Sequence, residues 1–97
     1  MKDIEIRELF RSREEYAGKE IVVRGWVRGN RASNQFGFIS LNDGTFFTPL
    51  QVVYEASKID NYEEISKVHL AAGVMVKGVL ELTPGAQQPF ELKATEI

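Results

Sequence analysis

The chain of 97 residues contains no cysteine and a single histidine, His69. Disulfides and thiolate metal sites are therefore excluded, and the composition fits a reducing compartment. One histidine cannot form a metal cluster alone. No apolar run approaches the roughly 20 residues that cross a bilayer, and residues 1–20 are too charged for a secretory signal. We expect a cytoplasmic protein with no metal site and no membrane association.

Groups that could carry catalysis are also scarce. The acidic pairs Glu14–Glu15 and Glu63–Glu64 fall where helices are expected to begin, and the helix dipole favours acids there. His69 would be a lone base at the end of a predicted helix. Gly25 and Gly29 lie in or beside a predicted strand, whereas a phosphate-binding loop must lead into a helix. We therefore predict no catalytic residue in these 97 residues.

Size and charge indicate one small domain, residues 1–97, with a modest core. The net charge of −2 argues weakly against a general nucleic-acid binder. Acids are nearly absent from residues 22–54, where Asp43 is the only one. The same segment holds three arginines, Arg24, Arg28 and Arg31. A local basic stripe on an acidic protein suits selective binding better than a strong, unselective electrostatic grip.

The spacing of apolar residues predicts five strands and two helical segments. The predicted strands are Lys19–Arg28, Phe36–Asn42, Phe46–Tyr54, Val74–Leu82 and Pro89–Ile97. The helical segments are residues 4–17, within an N-terminal extension over residues 1–18, and Asn61–Leu70. Residues 29–34 and 83–88 are predicted to be a turn and a loop, and Gly25 to mark a bulge or bend.

The order of three strands, a helix and two strands is that of the OB-fold. We therefore predict a mainly β protein, a five-stranded Greek-key barrel with its helix between strands three and four. An SH3-like barrel, the alternative, lacks a helix of two and a half turns at that place.

Strand alternation exposes two aromatic residues on the second strand. Phe36 and Phe38 fall on the face opposite the predicted core residues Ile39 and Leu41. Exposed rings on a barrel strand suit stacking against unpaired bases, worth about 1–3 kcal/mol per base. In the alternative, the N-terminal helix covers one of these rings. For Trp26, packing is favoured over a role as a stacking platform.

Four polar residues are predicted to accompany the two phenylalanines. Arg28 and Arg31 flank the predicted turn, where they suit phosphate contacts and base stacking, although a merely solvated face would look the same. Gln51 is predicted to face outward on the third strand, and its carboxamide can donate to or accept from a base edge. Glu91 on the last strand can accept from guanine N1 and N2 but repels phosphate. The set predicts binding of single-stranded RNA.

Five segments strongly resemble the N-terminal anticodon-binding domain of class IIb aminoacyl-tRNA synthetases, the aspartyl, asparaginyl and lysyl enzymes. They are Gly25–Arg28, Phe36–Gly44, Leu50–Val53, Val76–Val79 and Gln88–Ala94, and the resemblance covers essentially the whole chain. Within this family, the turn Leu41–Thr45 and the loop Thr83–Phe90 look most like those of bacterial asparaginyl enzymes. Aspartyl enzymes usually have an Arg-Asp turn at the first of these places.

The resemblance implies roles for individual residues. Phe38 would stack on the central anticodon base, a uridine common to all three amino acids, and Gln51 would read that base. Arg31 would contact the anticodon loop, and Glu91 would read the first anticodon position. Phe36 and Arg28 would be further participants.

The resemblance also implies a larger enzyme. Synthetases of this family are homodimers with a class II catalytic domain that holds ATP, Mg²⁺ and the amino acid, and no motif of that domain occurs here. We expect a fragment of an asparaginyl member, which would ligate asparagine to its tRNA with ATP. The alternatives are the corresponding domain of an aspartyl or lysyl enzyme, a free-standing general single-strand binder, and a protein-interaction module.

Overall fold

A computed structural model describes residues 3–33, 35–70, 72–83 and 90–97. Its strands are β1 Glu20–Ala32, β2 Phe36–Asn42, β3 Leu50–Glu55, β4 Gly73–Leu82 and β5 Phe90–Glu96, and its helices are α1 Ile6–Tyr16 and α2 Tyr62–Ser66. The strands close into a barrel in the order β1-β2-β3-β5-β4. Only β3 and β5 pair in parallel among the described strand pairs. The predicted OB-fold is confirmed.

The inside of the barrel is filled by alternate side chains of every strand, as the alternation of the sequence predicts. The core includes Ile21, Val23, Val27, Ile39, Leu41, Leu50, Val52, Tyr54, Val76, Leu80, Phe90, Leu92 and Ala94. Val22 on β1 and Val53 on β3 are buried as well, although strand alternation places both on the outer face. Phe38 on β2 and Lys93 on β5 flank Val53 there.

Helix α1 is held to the barrel by the turn between β2 and β3. The backbone N–H of Ile6 donates to Asp43 Oδ2 at 2.9 Å, and that of Arg7 donates to Thr45 Oγ1 at 3.0 Å. Asp43 Oδ1 accepts from the backbone N–H of Thr45 at 3.0 Å, which closes the predicted turn. A single carboxylate thus shapes the turn and satisfies the free N–H at the positive end of α1.

The strand β1 is longer than predicted. It continues to Ala32, so most of the predicted turn over residues 29–34 is strand, while Asn34 lies outside the described residues. The bulge also lies elsewhere. The register moves from Val27 opposite Leu41 to Gly29 opposite Ser40, which leaves Arg28 as the extra residue. Gly25 instead allows the backbones of β1 and β2 to approach closely, because an added Cβ would overlap the carbonyl of Asn42.

Two further boundaries differ from the prediction. Helix α2 ends at Ser66 rather than Leu70. At this end of the helix, the Asn30 carboxamide of β1 donates to the carbonyl of Ile65 within α2, at 2.8 Å, and to that of Val68 beyond it, at 3.4 Å. Strand β3 begins at Leu50 rather than Phe46, and the ring of Phe46 instead stacks on Phe10 of α1 with centroids 4.5 Å apart. Both differences arise from contacts between residues far apart in sequence.

The loop predicted over residues 83–88 lies outside the described residues except for Thr83, as does Pro89 at the predicted start of the last strand. Within the described ranges, the model contains no helix with the length and apolar character needed to span a bilayer.

Candidate nucleic-acid interface

The outer face of β1, β2, β3 and β5 carries a row of four side chains, which we call the Phe38 row. Its members are Arg31, Phe38, Val53 and Lys93, each opposite the next on the neighbouring strand. Neighbouring strands lie about 4.8 Å apart, so the row spans roughly 14 Å. A cation stands at each end, and an apolar stretch lies between them.

A second row lies two residues along each of β2, β3 and β5, so its side chains point to the same face. This Gln51 row consists of Ser40, Gln51 and Glu91. Ser40 is opposite Gln51, and Gln51 Nε2 donates to Glu91 Oε2 at 2.6 Å. The other carboxylate oxygen of Glu91 lies 3.6 Å from Lys93 Nζ, which joins the two rows. The outer face therefore places an apolar platform beside a polar, hydrogen-bonded edge.

Both phenylalanines of β2 are open to solvent. Phe36 is 44% exposed and Phe38 is 40% exposed, so the alternative in which α1 covers one of them is wrong. A shallow depression of about 340 Å³ is lined by Arg31, Ala32, Ser33, Phe36 and Phe38. A second, of about 310 Å³, lies on the other side of Phe36 against Glu55 and residues 56–57. Phe36 therefore separates two neighbouring depressions.

Arg28 and Arg31 differ from the other arginines of the chain. Across the described ranges, neither makes an ion pair or a side-chain hydrogen bond, and both are exposed. The remaining four are engaged: Arg7 with Glu5, Arg11 with Glu8, Arg13 with the carbonyl of Phe10, and Arg24 with Asp3. The predicted basic stripe is thus reduced to Arg28 and Arg31, because Asp3 pairs with Arg24.

Glu55, the acid opposite Phe36 at the end of the β1–β2 hairpin, is engaged with another group, because its carboxylate lies 3.7 Å from Lys58 Nζ. This pairing offsets the negative charge that Glu55 would otherwise present to an approaching phosphate.

The aromatic strand rests on a buried polar support that the sequence analysis missed. The bulge at Arg28 turns Asn30 toward the inside, where the Tyr54 hydroxyl donates to Asn30 Oδ1 at 2.7 Å. The Tyr54 ring lies against Gly37, where an added Cβ would overlap it. Gly37 sits between the two exposed phenylalanines, so this contact fixes the backbone that presents them. The sequence gives no signal for this support, because the position of Gly37 opposite Tyr54 depends on the register between β2 and β3.

Burial raises the pKa of Tyr54 above its ordinary value. The electrostatic effect of Tyr62 adds to the increase, and the hydrogen bond to Asn30 opposes it. The hydroxyl therefore remains a donor at neutral pH, as its contact with Asn30 requires.

Trp26 lies apart from this face. It is 38% exposed and stands over the β2–β3 turn, where a Cβ added to Gly44 would lie 3.3 Å from its ring. The arrangement agrees with the packing interpretation. Within the part of the chain that the structure describes, no three His, Cys, Asp or Glu side chains gather as a metal site would need.

All six residues predicted to form the site lie on β1, β2, β3 and β5. Arg31 and Phe38 are neighbours, Gln51 and Glu91 are hydrogen-bonded, Phe36 lies at the hairpin end and Arg28 at the bulge. The geometry offers a stacking surface, two arginines without partners among the described residues, and a polar edge formed by the Gln51 row. The roles of the individual residues in RNA binding stay predictions.

Comparison with known proteins identifies the class. The tRNA anti-codon family model, described as an OB-fold nucleic acid binding domain, matches residues 21–97. The chain therefore belongs to this family of OB-fold nucleic-acid-binding domains, and the predicted resemblance to anticodon-binding domains is confirmed.

Individual relatives narrow the comparison to asparagine–tRNA ligases. The whole chain is 52% identical over 97 residues to asparagine–tRNA ligase of Alkaliphilus oremlandii, and 52% identical over the same length to that of Acetivibrio thermocellus. It covers 21% of each, so it spans about one fifth of the length of these curated relatives.

Solved structures show the same fold. Asparaginyl-tRNA synthetase of Pyrococcus horikoshii, complexed with asparaginyl-adenylate, matches 98% of this chain with a TM-score of 0.82 and 21% identity. The match covers 21% of that synthetase. An OBody, AM2EP06, bound to hen egg-white lysozyme, matches 84% of this chain and 80% of its own, with a TM-score of 0.70 and 21% identity.

Proposed function

We propose that this chain recognises the anticodon loop of tRNA(Asn) as part of an asparagine–tRNA ligase. The observation that carries the proposal is the outer face itself, where the exposed ring of Phe38 lies between Arg31, which has no ion-pair partner among the described residues, and the Gln51–Glu91 pair. Identity of 52% to asparagine–tRNA ligases supports the choice of amino acid.

Each part of the face has a task in this proposal. Phe38 stacks on the central anticodon base, and the neighbouring carboxamide of Gln51 reads its edge. Arg31 and Arg28, which lack acidic partners in the described ranges, contact phosphates of the loop. Phe36 offers a second stacking surface between its two depressions. Base contacts give selectivity, while the two arginines that lack partners within the described residues make a modest electrostatic contribution.

The chemistry of ligation belongs to the whole ligase in this proposal. That enzyme joins asparagine to tRNA with ATP and Mg²⁺, as a cytoplasmic homodimer, and the present chain contributes the choice of tRNA. The proposal assigns no catalytic residue to these 97 residues.

A titration of the 97-residue chain tests the proposal. The ligands are the anticodon stem-loop of tRNA(Asn), the same stem-loop with cytidine at the central position, and poly-dT. We expect the first to bind best. Comparable affinity for poly-dT, with a steep dependence on salt, would identify a general single-strand binder instead. Absence of binding to all three would point to a protein-interaction module.

A further inference from the structure

The hydrogen bond between Gln51 and Glu91 restricts how Gln51 meets a ligand. A carboxylate only accepts hydrogen bonds, so the carboxamide must turn its NH₂ group toward Glu91. The observed donor is indeed Nε2, at 2.6 Å from Glu91 Oε2. The carbonyl oxygen of Gln51 is on the opposite side of the same planar group and therefore faces away from the carboxylate.

The fold keeps these two side chains together. Strands β3 and β5 pair in parallel, with Val52 opposite Leu92, so the residues that precede each of them share the outer face. Glu91 is held from its other side by Lys93, at 3.6 Å, and its side chain is only 19% exposed. A hydrogen bond to an ionised group is roughly twice as strong as one between neutral groups. The carboxamide is therefore oriented before any ligand arrives.

We infer that Glu91 is a positioning residue that makes Gln51 a reader of hydrogen-bond donors. With one N–H of its NH₂ group bound to Glu91, the carboxamide is kept from turning over, and Gln51 presents its carbonyl oxygen to the neighbouring base. Uridine offers an imino N3–H to that oxygen, whereas cytidine has an unprotonated, acceptor N3 at the same position. An unrestrained glutamine could turn over and satisfy either base. This inference rests on the proposed function and gives a physical reason for a preference for uridine over cytidine at the central anticodon position.

The inference adds to the role that the family resemblance implies for Glu91, which is to read the first anticodon base. In the free protein its two carboxylate oxygens face Gln51 and Lys93. Each oxygen keeps a second lone pair, so Glu91 can hold Gln51 and still accept a hydrogen bond from a base.

The first test uses the protein without RNA. The side-chain amide signals of Gln51, assigned by their loss in Gln51→Ala, are compared between wild type and Glu91→Ala by NMR. We expect a downfield shift and slow solvent exchange in wild type, and values of a free glutamine in the variant. Unchanged signals would overturn the inference without bearing on the proposed function.

Glu81→Ala is the matched control. Glu81 lies directly opposite Glu91 on β4 and is exposed, so this variant removes the same charge from a neighbouring position without touching the carboxamide. Its Gln51 signals should match those of wild type.

The second test measures the preference for uridine over cytidine at the central position. We expect a preference of about tenfold in wild type, which corresponds to one net hydrogen bond. It should fall to about twofold or less in Glu91→Ala and persist in Glu81→Ala. Glu91→Gln retains an acceptor for Gln51 and should keep an intermediate preference for uridine. This variant replaces Glu91→Ala in the test if the alanine variant fails to fold.

The outcomes separate the two proposals. A wild-type protein that binds neither stem-loop contradicts anticodon recognition, and the signals of the free protein still decide the orientation of Gln51. A preference that survives in both Glu91 variants overturns the positioning role, while anticodon recognition stands.

Discussion

Replacing Phe38 with alanine removes the ring at the centre of the Phe38 row. Stacking of one base on an aromatic side chain is worth about 1–3 kcal/mol. We therefore expect the dissociation constant for the anticodon stem-loop to rise by about 5- to 150-fold. Arg31 and Gln51 lie on either side of the ring and are left in place, so the loss reports the stack and not the charge.

The same substitution has a calculable cost in stability. Truncating a fully buried phenylalanine costs about 3–5 kcal/mol, and Phe38 is already 40% exposed. A loss of about 1–3 kcal/mol in the free energy of unfolding follows. Domains of this size have about 5–15 kcal/mol, so the variant stays folded at room temperature.

Two companion variants make the assay decisive. Phe38→Leu keeps an apolar cover over Val53 but has no aromatic face, so it should lose nearly as much affinity while unfolding close to wild type. Phe47→Ala removes a ring that is 87% exposed on the loop between β2 and β3, where it stacks on Phe46 at the end of β2 opposite the β1–β2 hairpin. That variant should bind as wild type does.

The measurement is fluorescence anisotropy of a labelled stem-loop at fixed salt, with thermal unfolding of each variant alongside. Wild-type affinity in both Phe38→Ala and Phe38→Leu would refute base stacking on this strand. An equal loss of affinity in Phe47→Ala would show that the assay reports nonspecific binding to exposed aromatic rings.

Three further predictions follow from the contacts of single residues. Arg28→Ala and Arg31→Ala should each reduce the slope of log affinity against log salt by about 0.7, whereas Arg24→Ala, whose guanidinium pairs with an acid, should leave the slope unchanged; equal slopes in all three would contradict the phosphate contacts. Asp43→Ala removes the cap of α1 and should lower the free energy of unfolding by about 1–2 kcal/mol in urea titrations, and an unchanged midpoint would exclude the cap as a source of stability. The raised pKa of Tyr54 means that the unfolded state releases this proton first, so stability is complete below about pH 10 and declines as pH rises through the native pKa. Tyr54→Phe should flatten that alkaline decline, and a curve of unchanged shape would contradict the assignment.

Local patterns predicted β2 with its observed bounds. Phe36–Asn42 alternates cleanly between apolar core positions and outward residues, and the following Asn-Asp-Gly turn ends the strand. The exposure of Phe38 could be predicted for the same reason, because alternation within one strand needs no knowledge of its neighbours.

Contacts across the chain could not be predicted in this way. Gly29 and Asn30 look like turn residues, yet Asn30 lies in β1 because Tyr54 and the end of α2 supply partners for its carboxamide. The pair of Gln51 and Glu91 depends on the parallel neighbourhood of β3 and β5, and sequence spacing carries no trace of it. Likewise, the sequence does not show that Arg31 lacks an ion-pair partner among the described residues while four other arginines are engaged.

The contact between Asp43 and the first turn of α1 bears on how this domain can be used as a scaffold. The family model begins at residue 21, which invites a shortened version without the helix. Such a version would strip Asp43 of the N–H group of Ile6 and uncover the ring of Phe46, which stacks on Phe10. Phe10 also lies 4.8 Å from the core residue Phe90, so the cut would open the barrel interior to solvent. We therefore expect the folding unit to extend beyond the family match over residues 21–97, and a library built on this barrel should retain the N-terminal helix.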